Sequence, residues 1–145
     1  MTDIIIPIYN AYDYVQKCIE TVILHTDLKR HGLILINDKS SDTRIKPLLD
    51  DFKAQHSTLN IKLIHNQSNL GFVKNVNLGL TTSTQDVVLL NSDTEVTSGW
   101  IDKLEACAYS KDCVATVTPL SNNATLASVP DFLVENQLPS HLSLD

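Results

Sequence analysis

Several features that define other protein classes are missing from this 145-residue sequence. It has no run of 18 apolar residues, so we predict no membrane span. No basic segment precedes its first apolar stretch, and we therefore expect no signal peptide. The net charge of −6, without any basic cluster, argues against nucleic acid as a partner.

Cysteine and histidine are also sparse and irregularly spaced. The three cysteines are an odd number, and two of them lie in apolar patterns, which is typical of reduced thiols. The five histidines show neither an HxxxH spacing nor a cysteine–histidine cluster, so we expect no zinc site. This cysteine usage predicts a cytoplasmic protein, with the membrane periphery as a further expected location.

Glycine is scarce, with only four residues, and the glycine-rich phosphate motifs are absent. The sequence lacks GxGxxG, GxxxxGK[ST] and GxSxG, which excludes a dinucleotide fingerprint, a P-loop and a hydrolase elbow. A phosphate group would therefore have to be bound by a metal ion, a basic side chain or a helix N-terminus.

The apolar residues alternate between strand and helix patterns along the chain. The predicted strands are Asp3–Tyr9, Leu33–Ile36, Ile61–Ile64, Val87–Leu90 and Val114–Thr118. The predicted helices are Val15–Ile23, Thr43–His56, Gly71–Leu80 and Ile101–Tyr109. This alternation predicts an α/β fold with a doubly wound, mostly parallel sheet over residues 1–120 and an irregular tail over 121–145. We expect Val87–Leu90 to be buried on both faces and Ile61–Ile64 to lie nearer an edge.

Polar clusters follow the first four predicted strands, at Tyr9-Asn10, Asn37-Asp38, 66–71 and 91–95. The carboxyl ends of parallel strands meet at one edge, where α/β proteins bind their ligands. Asp93 is a candidate ligand for Mg²⁺ or Mn²⁺, because carboxylate oxygens suit these hard cations. The residues alone equally allow Asp93 or Thr94 to cap the helix around Trp100.

Four sequence blocks, together spanning about residues 3 to 105, carry a resemblance to a known family. They are Ile4–Asn10, Asn37–Asp42, Asn69–Phe72 with Asn77 and Gly79, and Leu90–Glu95. In order and spacing, these blocks resemble the family 2 glycosyltransferases, which have the GT-A fold with a Rossmann-like nucleotide-binding half. The segment Thr118–Ala124 is also similar to one found in some members.

The resemblance implies an inverting transfer of a sugar from a UDP- or dTDP-sugar to a glycan, a lipid-linked acceptor or a protein. It assigns Asp38 to the edge of the base and Asp93 to a divalent metal, Mg²⁺ or Mn²⁺, on the diphosphate. The remaining residues implied at the nucleotide-sugar site are Pro7, Tyr9, Asn10, Asn69, Gly71, Lys74, Asn77, Asn91 and Ser92. For Lys74 a solvated helix face is the favoured alternative, and Asn77 is equally well explained by a local hydrogen bond.

The sequence departs from the family pattern in two places. Asn91 stands where the metal-binding DxD motif has its first acid, and the NxDxE ending resembles a rhamnosyltransferase-like branch, which implies dTDP as the alternative nucleotide. Neither Asp131 nor Glu135 can be matched to the family's catalytic base, which is therefore unassigned. We expect the donor-binding part of a glycosyltransferase, the alternative being a truncated or degenerate binding module without transferase activity on its own.

Overall fold

A computed structural model of the chain describes residues 1–121 together with Asp131 and Asn136. Glu135 and most of the expected 121–145 tail lie outside the described residues, so the domain boundary at residue 120 stays a prediction. The chain divides into two compact units, Met1–Val96 and Thr97–Asp145. None of the described helices is long and apolar enough to cross a membrane.

The first unit alternates strands and helices as the sequence predicts. Its elements are β1 (Thr2–Ile8), α1 (Tyr12–His25), β2 (Gly32–Asn37), α2 (Ile45–Gln55), β3 (Ile61–His65), α3 (Phe72–Thr82) and β4 (Asp86–Leu89). The second unit contributes α4 (Trp100–Ala108). The observed bounds differ from the predicted ones by only a few residues, which is the usual uncertainty at helix and strand ends.

The four described strands form one parallel sheet in the order β3-β2-β1-β4. The chain first moves outward from β1 to β2 and β3, then returns through α3 to place β4 on the other side of β1. Because parallel crossovers are right-handed, this reversal puts α3 on the face opposite α1 and α2. The predicted doubly wound topology is confirmed, and β3 lies at an edge as expected.

The two central strands supply the buried core. All seven residues of β1 and all six of β2 are buried, as expected for parallel strands covered on both faces. Pro7 is tolerated in β1 because of the direction in which its backbone faces. The backbone N and C=O groups of Ile5 and Pro7 face β4, and β4 stops pairing with β1 at Ile5–Leu89. Its missing N–H therefore removes no hydrogen bond from the sheet.

Helix α3 approaches the sheet closely at Gly79. A Cβ atom there would lie 2.5 Å from Ile5 Cγ2 and 3.0 Å from Ile36 Cδ1. Gly79 lies in the interior of this helix, which was predicted to end at Leu80 and continues to Thr82. The buried face is Asn75, Val76 and Gly79 rather than the apolar residues Phe72, Val73 and Leu80, which are exposed.

Two of the predicted strands differ in the structure. The strand expected to be buried on both faces is an edge strand, because β1 is its one partner among the described residues, and Leu89 is 44% exposed. The fifth strand, Val114–Thr118, is absent. Those residues have no regular structure and are largely exposed, and no described strand pairs with them.

Candidate functional site

The reversal of strand order creates a switch point between the carboxyl ends of β1 and β4. Neighbouring connections run in opposite directions there, which leaves a crevice that α/β proteins use for ligand binding. Two predicted clusters flank this crevice, since Tyr9-Asn10 follows β1 and Asn91–Asp93 follows β4. The topology therefore brings together residues that are about eighty positions apart in sequence.

Asn10 fastens the end of β1 to the loop after β2. Its Oδ1 accepts hydrogen bonds from the Asp42 amide (2.9 Å) and Ser41 Oγ (3.2 Å), and its own amide donates to Ser40 Oγ (2.9 Å). Asn10 and Ala11 both have left-handed φ angles, 58° and 57°, which are uncommon outside glycine. Such backbone strain persists where surrounding contacts fix the residues, and here the hydrogen bonds of Asn10 to the loop after β2 fix them.

The loop that Asn10 contacts leads into α2 without a side-chain cap. Asp42 does not cap α2, because its Oδ1 accepts the Arg44 amide (3.0 Å) in a local turn. It also pairs with the Arg44 guanidinium, whose hydrogen bonds hold the pKa of the Asp42 carboxyl below its usual range. Tyr9, beside Asn10, is 51% exposed at the crevice.

Asp38 is buried, at 3% exposure, and its carboxylate accepts three hydrogen bonds. Oδ1 accepts from Asn66 Nδ2 and from the Leu70 amide, both at 2.8 Å, and Oδ2 accepts from the Gly71 amide at 2.9 Å. The acid at the end of β2 therefore holds the whole loop that precedes α3. These contacts join groups that lie 28 to 33 residues apart in sequence.

Two asparagines that the sequence analysis did not select complete this network. Asn66 Nδ2 also donates to Asn75 Oδ1 (2.9 Å), and Asn75 Nδ2 donates to the Ile36 carbonyl (3.3 Å). Asn75 is 2% exposed and lies on the sheet-facing side of α3. No sequence signal identifies it, because its burial depends on hydrogen-bond partners in other elements.

The other candidates around α3 have different surroundings. Asn69 Oδ1 accepts from the Gly71 amide (3.0 Å), and Gly71 adopts φ 79°, which permits the sharp entry into the helix. Lys74 and Asn77 are on the exposed side of α3, and no hydrogen bond of their side chains joins them to the Asp38 network. Their predicted roles at the nucleotide stay predictions.

The candidate metal ligand lies on an exposed turn after β4. The Thr94 amide donates to the Asn91 carbonyl (3.2 Å), closing the turn, and the side chains of Asn91 and Asp93 are exposed while Ser92 is half-buried. Helix capping by Asp93 or Thr94 is wrong, since α4 begins only at Trp100, after Gly99, without a side-chain cap. The turn therefore presents its oxygen ligands to solvent.

Helix α1 stabilises the turn after β4 through two hydrogen bonds. Cys18 Sγ donates to the Asn91 carbonyl (3.6 Å), and Thr21 Oγ1 accepts from the Val96 amide (3.2 Å). Burial raises the pKa of the Cys18 thiol to about 12, and the negative charges of Asp93 and Glu95 act in the same direction. The thiol is thus a neutral donor under the turn rather than a nucleophile.

Two concavities of the first unit lie away from these residues. A groove of about 800 Å³ runs between α1 and α2, lined in part by Ile19 and Phe52. A smaller cavity of about 120 Å³ lies at the amino edge of the sheet, beside Asp3 and Gly32. Neither includes a predicted site residue, but shape alone does not identify chemistry, and the strand ends carry the converging polar groups.

The comparison with protein families identifies the family of this chain. Residues 3–131 match the family described as glycosyl transferase family 2. The chain belongs to the family 2 glycosyltransferases. Its relatives include an uncharacterized glycosyltransferase of Haemophilus influenzae, 30% identical over 118 residues, and polypeptide N-acetylgalactosaminyltransferase 11 of Xenopus tropicalis, 29% identical over 109 residues. These matches cover 81% and 73% of this chain but only 35% and 18% of the two relatives.

Solved structures show the same fold. Residues 1–349 of Staphylococcus aureus TarS, crystallised with UDP-GlcNAc, have a TM-score of 0.61 at 20% identity, covering 72% of this chain and 30% of the crystallised TarS chain. The Pyrobaculum calidifontis mannosyltransferase PcManGT, crystallised with GDP-Man and Mn²⁺, has a TM-score of 0.67 at 16% identity. That match covers 84% of this chain and 35% of PcManGT. The expected GT-A fold is therefore confirmed.

Proposed function

We propose that this glycosyltransferase chain binds a nucleotide-diphosphate sugar in the crevice between β1 and β4. The observation that carries the proposal is that the Asp38 loop network after β2 and the exposed Asn91–Asp93 turn after β4 lie at the same carboxyl edge of the sheet, on either side of β1. The first group suits a nucleoside and the second a diphosphate. Solved neighbours crystallised with UDP-GlcNAc and with GDP-Man support a nucleotide sugar as the ligand class.

The hydrogen bonds of Asp38 favour uracil or thymine as the base. A carboxylate has about four acceptor positions, and three are filled, two at Oδ1 and one at Oδ2. The remaining position suits the single N3–H of uracil or thymine. Guanine presents two adjacent donors, and neutral cytosine has no N–H at N3, so UDP or dTDP fits better than GDP or CDP.

The turn after β4 has the chemistry to hold a divalent metal. Asp93 offers a carboxylate, and the Asn91 amide and Ser92 hydroxyl offer further oxygen atoms to solvent or ligand. Mg²⁺ is typically held by one or two carboxylates plus substrate phosphates, so a single acid can suffice. When bound there, Mg²⁺ or Mn²⁺ would offset the negative charge that develops on the leaving nucleotide diphosphate. Glu95 is engaged instead with Lys17, at 3.9 Å.

The remaining candidates would line the donor. Pro7, Tyr9 and Asn10 would border the nucleoside, with Asn10 fixing the loop rather than offering its side-chain oxygen, which already accepts two hydrogen bonds. Asn69 and Gly71 would close over the base. An inverting transfer also needs a general base near the acceptor hydroxyl, and we give that role to neither Asp38 nor Asp93, which serve the donor.

Titration calorimetry with UDP, dTDP, CDP and GDP tests this function, each with Mn²⁺ and with excess chelator. We expect UDP or dTDP to bind best, and Asp93→Ala to abolish the metal dependence. Asp27→Ala is the matched control, because Asp27 is exposed and its carboxylate contacts only the local Lys29 amide among the described residues. Equal affinity with and without chelator would contradict a metal at Asp93.

The base preference has its own variant. Asp38→Asn keeps one oxygen for the loop and converts the other position into a donor, which suits the N3 acceptor of cytosine. We expect this variant to weaken UDP by about 1.5–3 kcal/mol, the range for a hydrogen bond to a charged group, and to weaken CDP less. A parallel loss for UDP and CDP would remove Asp38 from base recognition.

A further inference from the structure

A chain of polar side chains runs from the loop after β2 to helix α2. Asn37 Oδ1 accepts from the Ser40 amide (2.9 Å), and Asn37 Nδ2 lies 3.1 Å from His65 Nδ1. On its other side, His65 Nε2 lies 3.0 Å from Asp50 Oδ1. Asn37 is 5% exposed, and His65 is largely covered, with 24% of its side chain exposed.

The fixed donors along this chain determine the protonation of the imidazole. The Ser40 amide can only donate, so the oxygen of the Asn37 amide faces it and the NH₂ group faces His65. His65 Nδ1 must then accept, and the ring proton lies on Nε2 and is donated to Asp50. The hydrogen bonds therefore select the neutral Nε2–H tautomer.

The charged groups next to His65 come from α2. Asp50 accepts from Lys46 as well as from His65, and these two hydrogen bonds, that of Lys46 first, hold the pKa of the Asp50 carboxyl below its usual range. Lys53, also on α2, donates to the Ile61 carbonyl at the start of β3. Asp50 attracts a protonated imidazole, whereas the Asn37 NH₂ group opposes one, so the contacts of the ring oppose each other.

A proton added to His65 Nδ1 would disturb the loop after β2. It would set an N–H against the Asn37 NH₂ group, which must then turn away or flip. A flipped amide would present NH₂ to the Ser40 amide and lose that hydrogen bond. Ser40 Oγ accepts from the Asn10 amide, so the disturbance reaches the end of β1.

We propose that His65 is a positioning residue of the donor site. In its neutral Nε2–H form it fixes Asn37, and through Asn37 it fixes the Asp38–Asp42 loop that contacts Asn10. The inference rests on the proposed function, because the loop matters only if Asp38 and Asn10 border a nucleotide. Its consequence is that donor affinity falls when His65 is protonated.

The loop itself is tested without any ligand. Long-range ¹⁵N correlation spectra of the imidazole should show an unprotonated Nδ1 and a protonated Nε2 at about pH 7.5. On acidification the Ser40 amide signal should shift with the same midpoint as His65 in the natural protein. In His65→Gln, which keeps an acceptor for Asn37 but cannot titrate in this range, the Ser40 signal should not shift. A Ser40 signal that ignores the titration of His65 would overturn the inference.

Donor binding is then measured with UDP-glucose, whose diphosphate diester does not titrate in this range. On acidification until the imidazole spectra show His65 protonated, we expect the natural protein to lose about three- to tenfold in affinity, as for the loss of one hydrogen bond. His65→Gln should bind with little pH dependence, while the control His25→Gln, on α1, should follow the natural profile. Identical profiles for His65→Gln and the natural protein would overturn the inference. No binding at any pH would refute the proposed function, while the Ser40 measurement would still decide the role of His65.

Discussion

Removing the Asp38 carboxylate should loosen the loop before α3 and destabilise the first unit. In Asp38→Ala the Leu70 amide loses its charged acceptor, and a hydrogen bond to a charged group is worth about 1.5–3 kcal/mol. The other two donors keep second acceptors, Asn75 Oδ1 for Asn66 and Asn69 Oδ1 for Gly71, so each loses less. We expect a total loss of about 2–4 kcal/mol in the free energy of unfolding.

Equilibrium urea unfolding, followed by circular dichroism, measures this loss. Asp27→Ala is again the control, because Asp27 is an exposed acid and its removal should cost less than about 1 kcal/mol. Amide hydrogen exchange should localise the effect to the amides of Leu70 and Gly71. A loss below about 1 kcal/mol for Asp38→Ala, or unchanged exchange at both amides, would refute the argument that this carboxylate holds the loop.

Two further predictions concern packing and thiol chemistry. Gly79→Ala should lower the free energy of unfolding by about 1–2 kcal/mol, because the added methyl meets Ile5 and this outweighs the helix-propensity gain. The control Leu80→Ala on the exposed side should change stability much less, and a stabilised Gly79→Ala would contradict the close packing of α3. Cys18, with a pKa of about 12, is roughly 10⁻⁴ thiolate at about pH 8 and should resist iodoacetamide, whereas the two exposed cysteines should react. Mass spectrometry of the folded protein measures the labelling of each cysteine. Rapid labelling of Cys18 would contradict its burial under the turn.

The order of elements, and the edge of the sheet at which the polar clusters lie, could be predicted from the sequence because each depends on local signals. Continuous apolar runs predict buried parallel strands, and polar residues at their ends predict the ligand edge. The failures occur where a partner decides the outcome. Val114–Thr118 has a strand pattern, but no described strand pairs with it. Leu89 lies in β4, which is an edge strand although the sequence of β4 is as apolar as that of β2.

The phase of α3 shows a different limit. Its apolar residues Phe72 and Val73 are exposed, and an asparagine and a glycine lie against the sheet. Hydrophobic periodicity cannot find this face, because Asn75 is buried for its two hydrogen bonds and Gly79 for its lack of a side chain. Single-sequence analysis misses residues whose burial depends on contacts with distant elements rather than on their polarity.

The carboxyl edge of the sheet is built largely from asparagines in place of charged groups, and this bears on how the site works. Asn10, Asn37, Asn66 and Asn75 each contact groups far away in sequence, and the three that lie in or beside strands join the loops after β1, β2 and β3. An amide donates and accepts at once, so it can link two loops without the desolvation cost of a buried charge. Asp38 is the carboxylate that this set holds at the end of β2, and its hydrogen bonds fill three of its about four acceptor positions. A charge held in place before the ligand arrives needs little reorganisation on binding, which lowers the cost of binding. Under the function proposed above, the neutral network around Asp38 would contribute to nucleotide recognition together with the acid itself.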